Sequence, residues 1–371
     1  MRLGVEAAIV EGELLRGDIE VADGKIVSVG LAPSRGGGIA APGFVDLQVN
    51  GYAGVDFAAA DAAGYATAGE ALLEGGVTAY QPTLITAPED SLVAALREVP
   101  VGEQPGPRIL GVHLEGPFLS PARLGAHPAA ARRDPDRELL ERLLAAGPVS
   151  HMTLAPELPG ALELVDLLQT RGIVVSCGHT DATAAEAHAA FDRGVGTVTH
   201  LFNAMRPLGH RDPGIVGAAL IRDDVIVQVI LDGHHLADEI AQLVRRTAAG
   251  RMALVTDAIA AAATDATTTR LSGIDVEIRD GIARRADGVL AGSVVTMIDS
   301  VRNLHALGAS LVDAIAAATS APARAARRPG LGVLEPGGEA DIVVLDDRLE
   351  IRTVLRAGLE RMAVYERFET L

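Results

Sequence analysis

Apolar and polar residues follow one another in two different patterns, and the change between them divides the chain into three parts. Up to about residue 41, and again from about residue 336, short apolar runs separated by turn residues predict β-strands. Residues 42–335 instead combine short apolar runs with longer stretches rich in alanine and leucine, which are typical of helices. We therefore predict a small β-domain built from residues 1–41 and 336–371, and an α/β domain over residues 42–335.

Eight short apolar runs in the central part predict buried strands. They cover residues 44–49, 79–83, 109–114, 152–155, 173–177, 197–199, 226–231 and 253–256. Because helix-like stretches separate consecutive runs, the pattern predicts a parallel sheet. The number eight favours a (β/α)8 TIM barrel, with a small β-sandwich formed by the N- and C-terminal segments. An open doubly wound sheet is the alternative, but no glycine-rich phosphate loop follows the first strand.

Composition narrows the classes of function. A formal net charge of −17 disfavours a nucleic acid or an anionic membrane as the partner, because both carry the same sign of charge. The single cysteine, Cys177, excludes an intramolecular disulfide and fits a reducing compartment. No leader-like segment and no apolar run of about 18 residues is present. We therefore expect a soluble, cytoplasmic protein.

Polar residues stand at the C-terminal ends of the predicted strands, which in a parallel barrel converge on the face that carries the active site. His179 and His200 end consecutive strands and are placed to share a metal ion; two separately satisfied histidines are the alternative. Glu115 adds a carboxylate, unless it serves as a helix cap or a loop contact. Two imidazoles and one carboxylate leave a coordination position open for water, as in catalytic zinc sites.

Two further residues suit proton transfer and carbonyl polarisation. Asp257 ends the eighth strand, where it could take a proton from water and return it to a leaving amine; a helix N-cap is the alternative. His127 lies on the loop after the third strand and could hydrogen-bond a substrate carbonyl, although a histidine at such a position, taken alone, is more often a plain surface residue. His113 and His151 are interpreted as structural. The sole lysine, Lys25, lies outside the barrel, which excludes a carbamylated lysine as a bridge between two metals.

Six motifs in this order resemble the amidohydrolase superfamily over essentially the whole chain. They are APGFVDLQVNG at 41–51, HLEGPF at 113–118, GHT at 178–180, THLFNAM at 199–205, VTD at 255–257 and LAGS at 290–293. Many members of the superfamily begin the first strand with His-x-His, which binds a second metal. Gln48 and Asn50 occupy those positions here, and neutral amides are poor ligands, so we predict one metal.

The resemblance implies an enzyme that hydrolyses the acetamide of N-acetyl-D-glucosamine 6-phosphate to D-glucosamine 6-phosphate and acetate. It also implies a divalent ion, Zn²⁺ first with Fe²⁺ or another ion as alternatives, and a homodimer. The roles it implies are Glu115, His179 and His200 as metal ligands, Asp257 as general base and acid, His127 as the group that polarises the carbonyl, and Asn203, Ala204, Arg211 and His235 as groups that hold the sugar phosphate.

Two alternatives to this function stay open. A related enzyme could deacetylate another N-acyl sugar phosphate, such as N-acetylgalactosamine 6-phosphate, with differences confined to the loops. A barrel that has lost catalysis and only binds a ligand is the second alternative. The presence of all three metal-ligand candidates together with Asp257 argues against the second.

Overall fold

The computed structural model describes residues 1–32, 36–102 and 106–363, and its N-terminal part is all strand. The strands are β1 (Ala7–Val10), β2 (Glu13–Arg16), β3 (Asp18–Ala22), β4 (Lys25–Leu31) and β5 (Ile39–Pro42). The turn between β3 and β4 uses Asp23 and Gly24, both at positive φ (50° and 76°). Asp-Gly is favoured there because a two-residue hairpin turn of this kind requires positive φ at both positions.

The central part of the chain forms a parallel barrel. Its strands, with two short hairpin strands and one lead-in strand, are β6 (Phe44–Val49), β7 (Gly51–Tyr52), β8 (Val55–Asp56), β9 (Val77–Ile85), β10 (Arg108–Ile109), β11 (Val112–Glu115), β12 (Val149–Leu154), β13 (Val174–Cys177), β14 (Thr197–Val198), β15 (Ile226–Val229) and β16 (Met252–Leu254). Strands β6, β9 and β11–β16 pair in parallel in that order. A parallel bridge between Val49 and Ala258 joins the last strand to the first. The TIM-barrel prediction is confirmed, and each of the eight predicted strands overlaps an observed one.

Helices cover the outside of the barrel between successive strands. They are α1 (Ala62–Glu74), α2 (Glu89–Glu98), α3 (Arg137–Ala146), α4 (Ala161–Thr170), α5 (Ala184–Asp192), α6 (Gly214–Ile221) and α7 (Asp238–Thr247). Helix α5 links the strands that precede His179 and His200. It begins at a capping box, in which the Thr183 hydroxyl accepts from the Glu186 amide and the Glu186 carboxylate accepts from the Thr183 amide. This pair satisfies two backbone donors that the first turn leaves free and so fixes where the helix starts.

An antiparallel three-stranded sheet follows the eighth barrel strand. It consists of β17 (Thr268–Leu271), β18 (Ile274–Arg279) and β19 (Ile282–Arg284). Its inner residues join Ile85, at the end of β9, and Ala126, in the loop after β11, in one apolar cluster. The chain then continues through α8 (Met297–Ala306), α9 (Leu311–Ala318), α10 (Ser320–Ala325), β20 (Ile342–Leu345), β21 (Ile351–Arg356) and β22 (Leu359–Ala363).

The two ends of the chain combine in one β-structure. The main sheet has the order β2-β1-β5-β20-β21-β22, and the β3-β4 hairpin forms a second layer. Ile19 and Ile26 of the hairpin share an apolar cluster with Ile342 and Leu355 of the C-terminal strands, as the two layers of a β-sandwich do. The domain boundaries at residues 41 and 336 stay predictions, since β5 runs across the first of them. Residues 364–371 of the predicted C-terminal segment lie outside the described residues.

The barrel strands are buried on both faces, as a parallel barrel requires. Cys177, at the end of β13, is a fully buried free thiol, and burial raises its pKa. Among the residues that the structure describes, no helix combines the length and the apolar composition needed to cross a membrane.

Candidate active site

A cavity of about 230 Å³ opens at the C-terminal ends of the barrel strands. Polar groups from several strand ends line one part of it, and apolar side chains of the three-stranded sheet and neighbouring loops line another. The polar lining comprises Asn50, Glu115, His127, His179, His200, Asn203, His235 and Asp257, and the apolar lining includes Ile85, Ala126, Ile230, Leu271, Val289 and Leu290. The clustering of chemistry at this end of the barrel agrees with the general rule for the fold.

The three predicted metal ligands meet at one point. Glu115 ends β11, while His179 and His200 each lie two residues after the ends of β13 and β14. Oε1 of Glu115 lies 3.1 Å from Nε2 of His179 and 2.9 Å from Nε2 of His200, and the two nitrogens are 3.1 Å apart. Taking one ligand atom from each residue, all three atoms lie within 4.8 Å of one another.

The protonation state of His179 tests whether this group fits a metal ion. Its Nδ1 lies 3.0 Å from the carbonyl oxygen of Arg123, which only accepts, so Nδ1 carries the proton. Burial lowers the pKa of His179 to about 4, so the ring is neutral and Nε2 holds a lone pair. That lone pair faces the carboxylate oxygen of Glu115. Two electron-pair donors held this close suit a cation between them, and nitrogen and carboxylate donors suit a divalent metal ion.

Glu115 is charged despite its burial. Burial opposes ionisation, but the close contacts of Glu115 with His127, His179 and His200 hold the pKa of Glu115 well below its ordinary value. The amide of Gln48 adds a further hydrogen bond, from Nε2 to Oε1 at 3.0 Å. The site therefore provides a fixed negative charge next to two imidazole nitrogens, as a metal centre needs.

Asp257 stands across the cavity in a different electrostatic state. Burial and then the negative charge of Glu115 raise the pKa of Asp257 to about 7. Asn50 supports it by donating a hydrogen bond from Nδ2 to Oδ1 at 2.7 Å. A carboxyl group with a pKa near the working pH can both accept and return a proton, which is what a general base and acid must do.

His127 reaches the cavity from the loop after β11. Its Nδ1 lies 2.9 Å from the hydroxyl oxygen of Thr86, and its Nε2 lies 3.5 Å from Oε2 of Glu115. Gly116 makes the contact with Thr86 possible: it has φ +90°, and a Cβ there would come within 2.3 Å of the Thr86 hydroxyl. The HLEGPF motif thus places both a carboxylate and the support for a neighbouring imidazole.

The residues proposed for the sugar phosphate are only partly brought together. Asn203, Ala204 and His235 lie on the cavity wall. His235 is oriented by Asp232, whose Oδ2 is 2.7 Å from Nδ1 of His235. Although burial opposes it, this hydrogen bond and the charge of His235 lower the pKa of Asp232 to about 2. Arg211, by contrast, is exposed and is not part of the cavity wall.

The sequence pattern predicts no supporting role for several groups of the site. Gln48 and Asn50 stand out in the sequence only as poor metal ligands, whereas each donates a hydrogen bond to a carboxylate of the site. Thr86 and Asp232 belong to none of the predicted site residues. Thr86 directly follows β9, and Asp232 lies three residues after the end of β15. Their position near the ends of barrel strands is a signal that the sequence offers.

The backbone at the strand ends turns abruptly into the site. His179, His200 and Asp257 have φ values of +49°, +30° and +49°. Positive φ is uncommon for residues with a Cβ and is found where a functional constraint offsets the local strain.

Comparison with known proteins agrees with a functional interpretation of this site. Residues 39–367 match the family model described as Amidohydrolase family. This chain belongs to the amidohydrolase family.

Individual relatives place this amidohydrolase more closely. It is 38% identical to human N-acetylglucosamine-6-phosphate deacetylase, with 94% of this chain and 92% of the human protein aligned. It is 35% identical to N-acetylgalactosamine-6-phosphate deacetylase of Escherichia coli O157:H7, over 94% of this chain and 95% of that protein.

A solved structure extends the likeness to three dimensions. An Asp-to-Ala mutant of N-acetyl-D-glucosamine-6-phosphate deacetylase from Mycobacterium smegmatis, in complex with N-acetyl-D-glucosamine 6-phosphate, superposes with a TM-score of 0.93. The sequence identity is 36%, and 98% of this chain and 99% of that chain are covered. The amidohydrolase family is metal-dependent, and Glu115, His179 and His200 form a group in this chain that can hold an ion.

Proposed function

We propose that this amidohydrolase hydrolyses the acetamide of N-acetyl-D-glucosamine 6-phosphate to D-glucosamine 6-phosphate and acetate. The observation that carries the proposal is the juxtaposition of two differently charged carboxyl groups in one cavity. Glu115 is held ionised beside two imidazole nitrogens, while Asp257 titrates near neutrality. The relatives that resemble the chain over nearly its whole length carry this activity in their names.

The residues of the chain divide the reaction between them. Glu115, His179 and His200 would hold one divalent ion, which when bound supplies a Lewis acid that polarises the acetamide carbonyl and acidifies water. Asp257 accepts the proton of the attacking water as the new C–O bond forms. It returns that proton to the amide nitrogen as the C–N bond breaks, so that the amine leaves neutral.

His127 and the sugar-phosphate residues position the substrate. A hydrogen bond donated by the His127 ring to the carbonyl oxygen would strengthen as negative charge develops there. Asn203, the Ala204 main chain and His235, which lie on the cavity wall, are proposed to hold the sugar phosphate. Arg211 is proposed as a phosphate ligand because a guanidinium suits a dianion. Since Arg211 lies off the wall, that assignment rests on the family resemblance.

We propose Zn²⁺ as the ion, with Fe²⁺ or another divalent metal as alternatives, because two imidazoles and one carboxylate suit several of these metals. One ion is expected, since Gln48 directs its amide nitrogen at Glu115 and Asn50 directs its own at Asp257. A homodimer in the cytoplasm is proposed from the resemblance alone. Elemental analysis of the purified protein and light scattering test the stoichiometry of metal and of subunits.

Acetate release from N-acetyl-D-glucosamine 6-phosphate tests the function directly. We expect release by the purified protein, loss after chelation, and recovery on addition of one equivalent of metal per chain. Metal-loaded protein that releases no acetate from this substrate would sink the assignment.

A second candidate is the deacetylation of N-acetylgalactosamine 6-phosphate, which the bacterial relative at 35% identity favours. The two substrates differ only in the orientation of one hydroxyl group. Comparing kcat/KM for both with the same metal-loaded preparation decides between them. Saturable binding of either sugar phosphate without acetate release would instead identify a barrel that binds and does not catalyse.

A further inference from the structure

A row of hydrogen-bonded side chains crosses the interior of the barrel directly beneath the candidate metal site. Oγ of Ser176 lies 2.6 Å from Oγ1 of Thr199, which lies 2.7 Å from Oγ1 of Thr153. Thr153 in turn lies 2.7 Å from Nε2 of His113, whose Nδ1 lies 3.2 Å from the carbonyl oxygen of Leu47. The four polar side chains are completely buried and come from four strands. None of them has a part in the proposed reaction.

The direction of every hydrogen bond in this row follows from its last member. Nδ1 of His113 faces the Leu47 carbonyl at 3.2 Å and, at the longer distance of 3.4 Å, the Thr83 hydroxyl. The carbonyl can only accept and the hydroxyl oxygen can also accept, so Nδ1 carries the proton and Nε2 of the neutral ring accepts from Thr153. Thr153 has then used its single proton and accepts from Thr199, which accepts from Ser176. The neutral form is expected, because the ring is fully buried and hydrogen-bonds only to uncharged groups. The row therefore runs from Ser176 to Leu47 in one direction.

His113 connects this row to the carboxylate of the metal site. It lies two residues before Glu115, at a shift in register between β11 and β12. Its bond to Leu47 fixes β6 one residue before Gln48, and Gln48 donates to Oε1 of Glu115. Further along the row, Thr199 directly precedes His200. Through these contacts His113 links β11, which carries Glu115, to β6, which carries Gln48, and to the strand end that carries His200.

We propose that His113, as the neutral Nδ1–H tautomer, is a positioning residue that holds Glu115 and Gln48 in the geometry required for metal binding and hydrolysis. It touches neither the ion nor the substrate and acts through the strands it ties together. The inference rests on the proposed function for its kinetic part, whereas its effect on metal affinity and its tautomer are independent of the substrate. Groups that orient ligands in this way contribute substantially to metal affinity in other sites.

His151 offers a matched control within the same barrel. Its ring stacks on that of His113, with centroids 4.1 Å apart and planes 14° from parallel, and both side chains are completely buried. Nδ1 of His151 lies 2.9 Å from Oε1 of Gln81, and its Nε2 has no hydrogen-bond partner in the described part of the chain. The Ser176-to-Leu47 row bypasses it. Replacing either histidine by phenylalanine keeps an aromatic ring at the same depth, but only one replacement breaks the row.

The test compares His113→Phe with His151→Phe in the full-length protein. For His113→Phe we expect the Kd for Zn²⁺, measured by competition with a chromogenic chelator, to rise about 10- to 100-fold. At saturating metal, kcat should fall while KM for the sugar phosphate stays unchanged. His151→Phe should match the unmodified protein in Kd, kcat and KM, even where thermal unfolding shows that both replacements destabilise the fold to a similar extent.

Equal losses of metal affinity in the two phenylalanine variants would show a merely structural role and overturn the proposal. If His113→Phe does not fold, Thr153→Val removes the donor to His113 at constant side-chain shape, and it should weaken Zn²⁺ binding more than Ser176→Ala, which removes only the first donor of the row. Equal effects of those two replacements would contradict the role of the hydrogen bond between Thr153 and His113.

The tautomer provides a readout that needs neither metal nor substrate. In the spectrum of protein labelled with ¹⁵N-histidine, assigned by comparison with His113→Phe, we expect the His113 proton on Nδ1. A proton on Nε2 instead of Nδ1 would refute the inference. If the unmodified protein releases no acetate from either sugar phosphate, the proposed function fails, and the Zn²⁺ and tautomer measurements still decide the role of His113.

Discussion

The two sides of the cavity carry carboxyl groups whose ionisation is tuned in opposite directions. On one side, three imidazoles and the amide of Gln48 surround Glu115, and the pKa falls well below its ordinary value. On the other side, Asn50 is the one side-chain hydrogen-bond donor described for Asp257, and the pKa rises to about 7. Burial opposes ionisation on both sides, so the number of donors and the charge of the neighbour determine the difference. One carboxyl is thereby suited to hold a cation and the other to move a proton.

The largest effect is expected when Glu115 loses its negative charge. Glu115→Gln removes the negative group that would neutralise a divalent ion, so we expect loss of bound metal and a fall in acetate release of about 10⁴-fold or more, because both the Lewis acid and its alignment are lost. Metal content by elemental analysis and initial rates of acetate release check this. Retention of one tightly bound ion per chain would show that Glu115 is not a ligand.

The same acid-to-amide change on the other side should separate catalysis from metal binding. For Asp257→Asn we expect full metal content and a fall in kcat of about 10²- to 10⁴-fold, the usual contribution of a general acid–base. Because both substitutions replace a carboxylate by the amide of the same shape, Glu115→Gln serves as the control for Asp257→Asn. A loss of metal in both variants would erase the functional distinction between the sides.

The pH dependence of the rate should report the titratable side. Asp257 must be ionised to accept a proton, so kcat/KM should fall as the pH drops through its pKa. The pKa of Asp257 is about 7 when no cation offsets the charge of Glu115. A divalent cation near Asp257 favours its carboxylate form, so the acid limb of kcat/KM should lie at or below pH 7. A pH–rate profile of metal-loaded protein measures this. An unchanged acid limb in the residual activity of Asp257→Asn would assign it to another group.

The smallest effect is expected from the lone donor to Asp257. Asn50→Ala removes a hydrogen bond to a group that must be charged to work, which corresponds to a rise in its pKa of about 1 unit. The acid limb of kcat/KM should move to higher pH by that amount, with the plateau little changed. Gln48→Ala is the matched change on the other side, and it should leave the acid limb in place.

The sequence was sufficient for the barrel and for the residues at its strand ends. Eight apolar runs identified the strands, because buried parallel strands are apolar on both faces. Glu115, His179, His200 and Asp257 stood out since strand ends of a barrel converge, and the structure brings all four to one cavity. Their assigned roles stay predictions that the variants above test.

Other features depended on distances that no local pattern encodes. The donors Gln48 and Asn50 act on residues 67 and 207 positions away, and the hydrogen-bond direction through His113 depends on the carbonyl group of Leu47 in β6. The placement of Arg211 was also beyond reach, because the course of the loop after THLFNAM decides whether its side chain meets the cavity. Strand-end chemistry is local in sequence, whereas the orientation of each group is a property of the assembled barrel.

The solitary thiol of Cys177 has a practical use for spectroscopy. It is completely buried, and its raised pKa keeps it protonated and unreactive toward maleimides and similar reagents. A cysteine introduced at the exposed Asp275 of β18 would then be the single site that a spin label or fluorophore modifies. Without any prior removal of native cysteines, a labelled protein of this kind would report whether the three-stranded sheet moves relative to the barrel mouth when a ligand binds.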